Sequence, residues 1–142
     1  MKIIIDGVAG TWTEDRSTSP PLPEGRLSEH FLVSEMDCNH CGKYGETSSK
    51  ELLTVLEDVR DRFGPVVVNS GVRCATHNAN VGGASGSRHL VGNADAADIV
   101  CPDASVKQVR EYLLSKYPNR YGIGTYSSFV HIDTRPGGPA RW

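Results

Sequence analysis

A helix signal and a strand signal follow each other directly between residues 48 and 69, and this pair most constrains the fold. Ser48 and Glu51 have the spacing of a capping box, which satisfies free backbone N–H groups at the start of a helix. A Gly-Pro pair ends the helical pattern, and the valine run after it predicts a buried strand at 65–69. The apolar face of the helix consists of Leu52, Val55, Leu56, Val59 and Phe63.

The rest of the chain repeats this alternation and predicts an α+β fold. Ser105 and Gln108 again have capping-box spacing, and glycines and asparagines cluster in the loop region between the two predicted helices. We expect two helices packed on one side of a small, largely antiparallel sheet. The further predicted elements are a strand at 96–101, a helix at 105–117 and strands at 121–126 and 129–133.

Length and composition predict one domain at 28–142, preceded by an irregular, proline-rich arm at 1–27. A net charge of -2 with scattered Lys and Arg gives no basic stripe for nucleic acid. The apolar run Ile3-Ile4-Ile5 is too short for a signal peptide or a membrane span. We therefore expect a monomer, made in the cytoplasm without a classical signal peptide, that neither binds nucleic acid nor inserts into membranes.

Two histidines and a carboxylate point to a metal site. His89 lies in a loop rich in Gly and Ser, and His131 lies in the predicted strand 129–133. Asp98 lies in a segment that should be buried, where a carboxylate costs several kcal/mol unless it is paired or bound to a metal. Asp95 stays open as the alternative ligand. Two imidazoles and one carboxylate are the ligand set of an open zinc site, which lowers the pKa of a bound water to about 7.

Two further side chains fit roles in hydrolysis. Strand alternation places Asp133 on the same face as His131, so we interpret Asp133 as the general base that moves a proton from water to the leaving amine. Arg73 follows a predicted buried strand, and its guanidinium suits a substrate carboxylate or a developing oxyanion. The alternatives are a surface His–Asp hydrogen bond and a structural ion pair.

The four cysteines are expected to have structural roles. Cys38 and Cys41 form a Cys-x-x-Cys pair, but no second such pair completes a four-ligand site. The lack of a secretory signal disfavours a disulfide framework. A disulfide, a buried thiol or a second, structural metal involving Cys38, Cys41 and Cys74 all remain open.

Six short motifs occur in a specific order. They are Ser-Gly-Val-Arg at 70–73, His-Asn at 77–78, Val-Gly-Gly-Ala at 81–84, Ser-Arg-His-Leu-Val-Gly at 87–92, Ala-Ala-Asp-Ile at 96–99 and Phe-Val-His-Ile-Asp at 129–133. In this order they resemble the zinc D-alanyl-D-alanine carboxypeptidase family, whose relatives include phage L-alanyl-D-glutamate endolysins and the hedgehog signalling domain. The resemblance runs from about Phe31 to Trp142. Its Cys-x-x-Cys-Gly stretch is similar to one bacterial and phage branch.

The resemblance implies a hedgehog/DD-peptidase-like fold with one zinc ion on His89, Asp98 and His131. It also implies that Arg73 binds the substrate's carboxylate or polarises its carbonyl, and that Ser87 lines the cleft. The expected function is a zinc metallopeptidase that cleaves peptidoglycan stem peptides, as a D,D-carboxypeptidase or an L,D-endopeptidase, phage endolysins included. Such an enzyme would reach the cell wall by lysin-like release or non-classical export.

Two departures from the family pattern leave a second function open. The family usually places its aspartate seven residues after the first histidine, where this chain has Ala96, so Asp98 requires two extra loop residues. Many relatives place an acidic general base three residues before the last histidine, where this chain has Ser128. The alternative is a catalytically silent cell-wall-binding or virion structural module on the same scaffold.

Overall fold

The computed structural model describes residues 25–82 and 86–142, with the backbone of two short strands near the start. These strands, β1 (Ile5–Asp6) and β2 (Ala9–Gly10), pair antiparallel. The predicted irregular arm at 1–27 falls mostly outside the described residues, so it stays a prediction, as does the domain start at 28.

Both predicted long helices and all four predicted strands are present, within a few residues of their expected bounds. In addition the chain forms two short helices and an edge strand that the sequence patterns did not predict. No helix in the described ranges is long and apolar enough to cross a membrane. The elements are α1 (Val33–Met36), a 3-10 turn (Gly45–Thr47), α2 (Lys50–Phe63), β3 (Val67–Ser70), α3 (Ala75–Asn80), β4 (Ala96–Val100), α4 (Val106–Lys116), β5 (Gly122–Thr125), β6 (Val130–Asp133) and β7 (Ala140–Arg141).

The caps of the two long helices differ in how well the sequence predicted them. Ser105 and Gln108 form the predicted capping box, with backbone-to-side-chain distances of 2.8 and 3.1 Å. At α2 the cap is Ser49, whose hydroxyl accepts from the backbone N–H of Leu52. The capping box predicted one residue earlier is therefore wrong, and Glu51 instead accepts a hydrogen bond from the Tyr121 hydroxyl, at 2.6 Å.

Five strands form one sheet in the order β3-β4-β6-β5-β7. Every neighbouring pair is antiparallel except β5 with β7, so the predicted α+β class with a largely antiparallel sheet is confirmed. The Arg141 guanidinium fixes the edge strand β7 by donating to the backbone carbonyls of Tyr121 and Tyr117, at 2.7 and 2.8 Å.

The two faces of the sheet carry different kinds of side chain. Side chains on one face pack with α2 and α4 into a single core, in which the largest fully buried members from the strands are Ile99, Ile123, Val130 and Ile132. Because successive residues of a strand point to opposite faces, Asp98, His131 and Asp133 project from the other face. The core therefore positions the polar residues without enclosing them.

The segment before α1 is attached to α2 by one carboxylate. Glu57 accepts hydrogen bonds from the Ser28 hydroxyl at 2.6 Å and the His30 backbone N–H at 2.7 Å, and its other oxygen lies 2.6 Å from Nδ1 of His30. Burial raises the pKa of Glu57, but these partners outweigh burial and lower it below its ordinary 4.5.

We expect Glu57→Gln to lower the free energy of unfolding by about 1–3 kcal/mol at pH 7, because hydrogen bonds to a charged acceptor are lost. Glu111→Gln, an exposed charge change on α4, is the control and should stay within about 0.5 kcal/mol of the parent. A carboxyl whose pKa is lowered by folding stabilises the protein above its unfolded pKa. The difference should therefore shrink as the pH falls below about 4.5 in urea titrations. A difference that does not depend on pH would contradict this account.

Candidate metal centre

The three predicted metal ligands come together on the face of the sheet that points away from the helices. β4 and β6 pair so that Asp98 lies directly opposite His131. His89 comes from the loop before β4, where its backbone carbonyl accepts from the N–H of Arg73 at 2.7 Å. All three side chains are buried.

Three ligand atoms are mutually close enough to share one cation. Nε2 of His89 lies 3.2 Å from Nδ1 of His131 and 3.3 Å from Oδ1 of Asp98. The third separation, between Nδ1 of His131 and Oδ1 of Asp98, is 3.0 Å. A tetrahedral zinc ion with bonds of about 2.0–2.1 Å requires ligand separations of about 3.3 Å. The donor atoms and their spacing therefore fit zinc.

Each imidazole is oriented by a partner on its other nitrogen. Nδ1 of His89 lies 2.7 Å from the carbonyl oxygen of Gly71, and Nε2 of His131 lies 2.7 Å from Oδ2 of Asp133. Both partners are acceptors, so in a neutral imidazole these ring nitrogens would carry the hydrogen and donate it. The remaining nitrogens would then direct lone pairs at the centre, as in proteins whose metal-binding histidines donate to a carbonyl or carboxylate.

Asp133 lies behind the His131 ring and is paired with an arginine. It is fully buried, and the Arg135 guanidinium donates to both of its oxygens at 2.7 Å. It contacts the edge of the His131 ring that faces away from the centre, and it does not line the pocket. Burial raises the pKa of Asp133, but Arg135 and His131 lower it well below its usual range, so the carboxylate stays charged. These contacts fit positioning of His131, and the role of Asp133 as general base stays a prediction.

The two candidate aspartates have separate partners. Asp98 turns Oδ1 to the centre, and its Oδ2 lies 3.4 Å from Nη2 of Arg73. Burial raises the pKa of Asp98, but His131 and His89 hold it well below its ordinary value. Asp95 instead pairs with the Arg88 guanidinium, with Nε and Oδ1 3.0 Å apart. The structure does not bring Asp95 to the centre.

A pocket of about 490 Å³ opens over the three ligand atoms. Ser87 lines it, as expected, and its hydroxyl accepts from the backbone N–H of His89 at 3.2 Å. Among the described residues around it, Asp98 is the only acidic one, and Ser128 does not contribute. The other side chains of the wall are cationic or aromatic: Arg73, Arg88, Arg135, Tyr126, Phe129 and Trp142.

Sequence reasoning missed the aromatic side of this pocket. The rings of Tyr126 and Phe129 stack with centroids 4.4 Å apart, and the indole N–H of Trp142 donates to the Tyr126 hydroxyl at 2.9 Å. Gly124 is needed for this arrangement, because a Cβ there would lie within about 2.4 Å of the Trp142 ring. Strand spacing could have revealed Arg135, two residues after Asp133, but nothing local predicts that Trp142 reaches the site.

A second group of metal-binding side chains lies in the loops. The sulfurs of Cys38, Cys41 and Cys74 are all within 4.8 Å of one another, and all four cysteines have free thiols. Burial raises the pKa of Cys38, but hydrogen bonds from the backbone N–H groups of Cys74, Cys41 and His40 lower it to about 7. Cys101 lies in the core, and burial raises its pKa to about 11.

Comparison with known proteins gives two matches. Residues 29–133, well over half of the chain, match the family model described as Peptidase M15. A zinc D-Ala-D-Ala carboxypeptidase from Streptomyces albus G is 39% identical over 75 residues, which cover 46% of this chain and 29% of that protein. The chain thus aligns with less than a third of the length of this curated relative.

We expect Asp133→Asn to weaken zinc binding at this centre by about 10- to 100-fold, because the outer carboxylate no longer orients His131. Competition with a chromophoric chelator measures the affinity. Asp58→Asn is the matched control, since it also removes an acceptor, in this case one for Tyr112 and Lys116 on α4. Equal zinc affinity in the Asp133 variant and the control, with native circular dichroism in both, would contradict the positioning role.

Proposed function

The chain belongs to the Peptidase M15 family, and on this basis we propose that it is a peptidase with one zinc ion on His89, Asp98 and His131. The observation that carries the proposal is the convergence of three buried donor atoms at separations of 3.0, 3.2 and 3.3 Å beneath an open pocket. The described residues offer no fourth ligand in this group, so one coordination position faces the pocket. When bound there, zinc supplies a Lewis acid and lowers the pKa of a water to about 7.

The substrate we propose is an anionic peptide. Three arginines line the pocket, but two of them are already paired with buried carboxylates, Arg88 with Asp95 and Arg135 with Asp133. Arg73 makes only long contacts, from Nη2 to Asp98 at 3.4 Å and from Nε to the Ser70 hydroxyl at 3.3 Å, and is therefore the guanidinium most available to a ligand. We assign it the binding of a carboxylate next to the bond that is cut.

Peptidoglycan stem peptides fit this requirement, because they carry carboxylates and end in a D-amino acid. The similarity to the Streptomyces zinc D-Ala-D-Ala carboxypeptidase favours cleavage next to a terminal carboxylate. An L,D-endopeptidase of the endolysin type is the variant of this proposal in which the anchored carboxylate belongs to an internal residue. Either enzyme would act on the cell wall, after lysin-like release or non-classical export.

Within this proposal Asp133 is a positioning residue. It keeps the hydrogen of His131 on Nε2, which leaves Nδ1 free to bind the cation. A general base and a positioning residue differ in one readout. With Asp133→Asn, saturating zinc should restore most of kcat if the residue only orients His131, whereas loss of a base would leave kcat low at any zinc concentration.

A catalytically silent cell-wall-binding module is the second candidate. It is favoured by the wall of the pocket, where Asp98 is the only acidic side chain among the described residues and Ser128 occupies the position of the family's base. Such a module would hold zinc and bind the wall without cutting it.

We expect the purified protein to cleave isolated peptidoglycan, to lose this activity after chelation and to regain it with added zinc. Mass spectrometry of the soluble fragments identifies the bond that is cut. His131→Ala should remove activity at all zinc concentrations, while Glu111→Gln retains it. Cleavage that survives complete demetallation would refute a zinc peptidase. Binding of one zinc at this centre without any fragment release would favour the silent module.

We expect Arg73→Ala to raise KM by about 10- to 100-fold for a stem peptide with a free carboxylate beside the cut bond, because a charged hydrogen-bonded contact is lost. Amidation of that carboxylate should raise the KM of the parent enzyme by a similar factor. The same amidation should have little effect on the Arg73 variant, since the two changes remove one interaction. Arg120→Ala, whose guanidinium lies over the rings of Tyr117 and Tyr121, is the control. Additive losses would show that Arg73 does not contact the carboxylate.

A further inference from the structure

Three cysteine sulfurs lie close together near the start of α3, and the imidazole of His40 lies beside one of them. Cys38 and Cys41 lie in the loop after α1, and Cys74 is the N-cap residue of α3. Their sulfurs lie within 4.8 Å of one another, and Nδ1 of His40 lies 3.7 Å from the sulfur of Cys74. With zinc–sulfur bonds of about 2.3 Å, a tetrahedral ion requires ligand separations of about 3.6–3.8 Å. The separation between His40 and Cys74 meets this requirement, and the three sulfurs are grouped closely enough to share one ion.

Backbone donors point at the sulfurs of this cluster. The N–H of Cys74 lies 3.4 Å from the sulfur of Cys38, and the N–H of His77 lies 3.3 Å from the sulfur of Cys74. N–H groups directed at sulfur stabilise the thiolate, and the thiolate is the form that binds metal. The loop is preformed around the first sulfur, because Gly42, at a φ of 70°, returns its N–H to the Cys38 carbonyl at 2.8 Å.

We propose that Cys38, Cys41 and Cys74, with His40 as the fourth ligand, bind a zinc ion that has a structural role. Three cysteines and one histidine form a closed site, with no position left for water or substrate. The proposal goes beyond the peptidase function and does not depend on it. A disulfide is the competing use of these cysteines. It would bond two of the sulfurs to each other, and the third sulfur, at which a backbone N–H group can point, would be bonded to neither a metal nor another sulfur.

Such an ion would cross-link two segments that reach the other centre. Residues 71–74 already contact α1, because the N–H of Val72 donates to the Met36 carbonyl at 2.9 Å. Gly71 lies so close to Met36 that a Cβ would come within about 2.8 Å of its carbonyl oxygen. Gly71 holds the His89 ring, and Arg73 is the residue next to Cys74. The structural zinc would therefore fix the backbone that carries the Gly71 carbonyl and the Arg73 side chain.

The test counts zinc ions per chain in protein purified under reducing conditions. We expect two in the parent, one in Cys41→Ser, one in His131→Ala and none in the double variant. Cys101→Ala, which removes a core thiol outside the cluster, should keep two. With cobalt in place of zinc, the sulfur-to-metal charge-transfer band should remain in His131→Ala and disappear in Cys41→Ser. A parent with one zinc, lost in His131→Ala and kept in Cys41→Ser, would overturn the proposal and leave the peptidase proposal intact. One zinc with the opposite dependence would support this site and contradict the catalytic one.

Two further measurements examine the ligands without relying on one variant. His40→Ala should shift the cobalt spectrum, while His77→Ala, whose ring stacks 6.2 Å from that of His40, should not. The reverse result would overturn the assignment of His40. Thiol titration of the chelated, denatured parent should find all four thiols of the sequence. Finding only two, with a disulfide among Cys38, Cys41 and Cys74 in the peptide masses, would overturn the metal site.

Discussion

The pairing of β4 with β6 is the constraint on which the rest of the site depends. In this register Asp98 is the direct partner of His131, and the residues on either side of them, such as Ile99 and Ile132, point into the core. A slip by one residue would turn the ligands inward and the apolar side chains outward. The hydrophobic core therefore selects the register, and the register brings the carboxylate and the imidazole together. The stability of the sheet and the geometry of the candidate metal centre thus have the same physical origin.

The centre also requires that buried charge be compensated. Asp133 is fully buried, and an isolated carboxylate there would cost several kcal/mol. The Arg135 guanidinium and the backbone N–H groups of Gly122 and Arg135 donate to this carboxylate and offset much of that cost, and Oδ2 also contacts the His131 ring. A series of contacts thus links the Arg135 guanidinium to the Asp133 carboxylate, and that carboxylate to the His131 imidazole at the centre. Strand alternation alone suggests that Asp133 is a base. The contacts with Arg135 and His131 fit a residue that positions the His131 ring.

The parts that the sequence predicted are those with short-range causes. Helical and strand periodicities placed α2, α4 and four strands, and strand alternation placed His131 and Asp133 on one face. Periodicity alone does not predict long-range contacts. The edge strand β7 is held by Arg141, whose acceptors Tyr121 and Tyr117 lie twenty or more residues earlier in the chain, so its two-residue pattern carries no local signal. The role of Asp133 depends on which nitrogen of His131 faces the centre, and spacing does not encode that choice.

The segment 71–74 connects the two clusters and shows how a short loop can serve both. Gly71 contributes a carbonyl to His89, and Arg73 reaches the second oxygen of Asp98. Cys74, the next residue, donates its backbone N–H to the sulfur of Cys38. Four consecutive residues are thus fixed from two sides, and a loop with so few internal hydrogen bonds would otherwise be among the first parts of a domain to open. Zinc at the cysteine cluster, as proposed, would fix one end of this segment, so the position of Arg73 would be set by the fold before any substrate arrives.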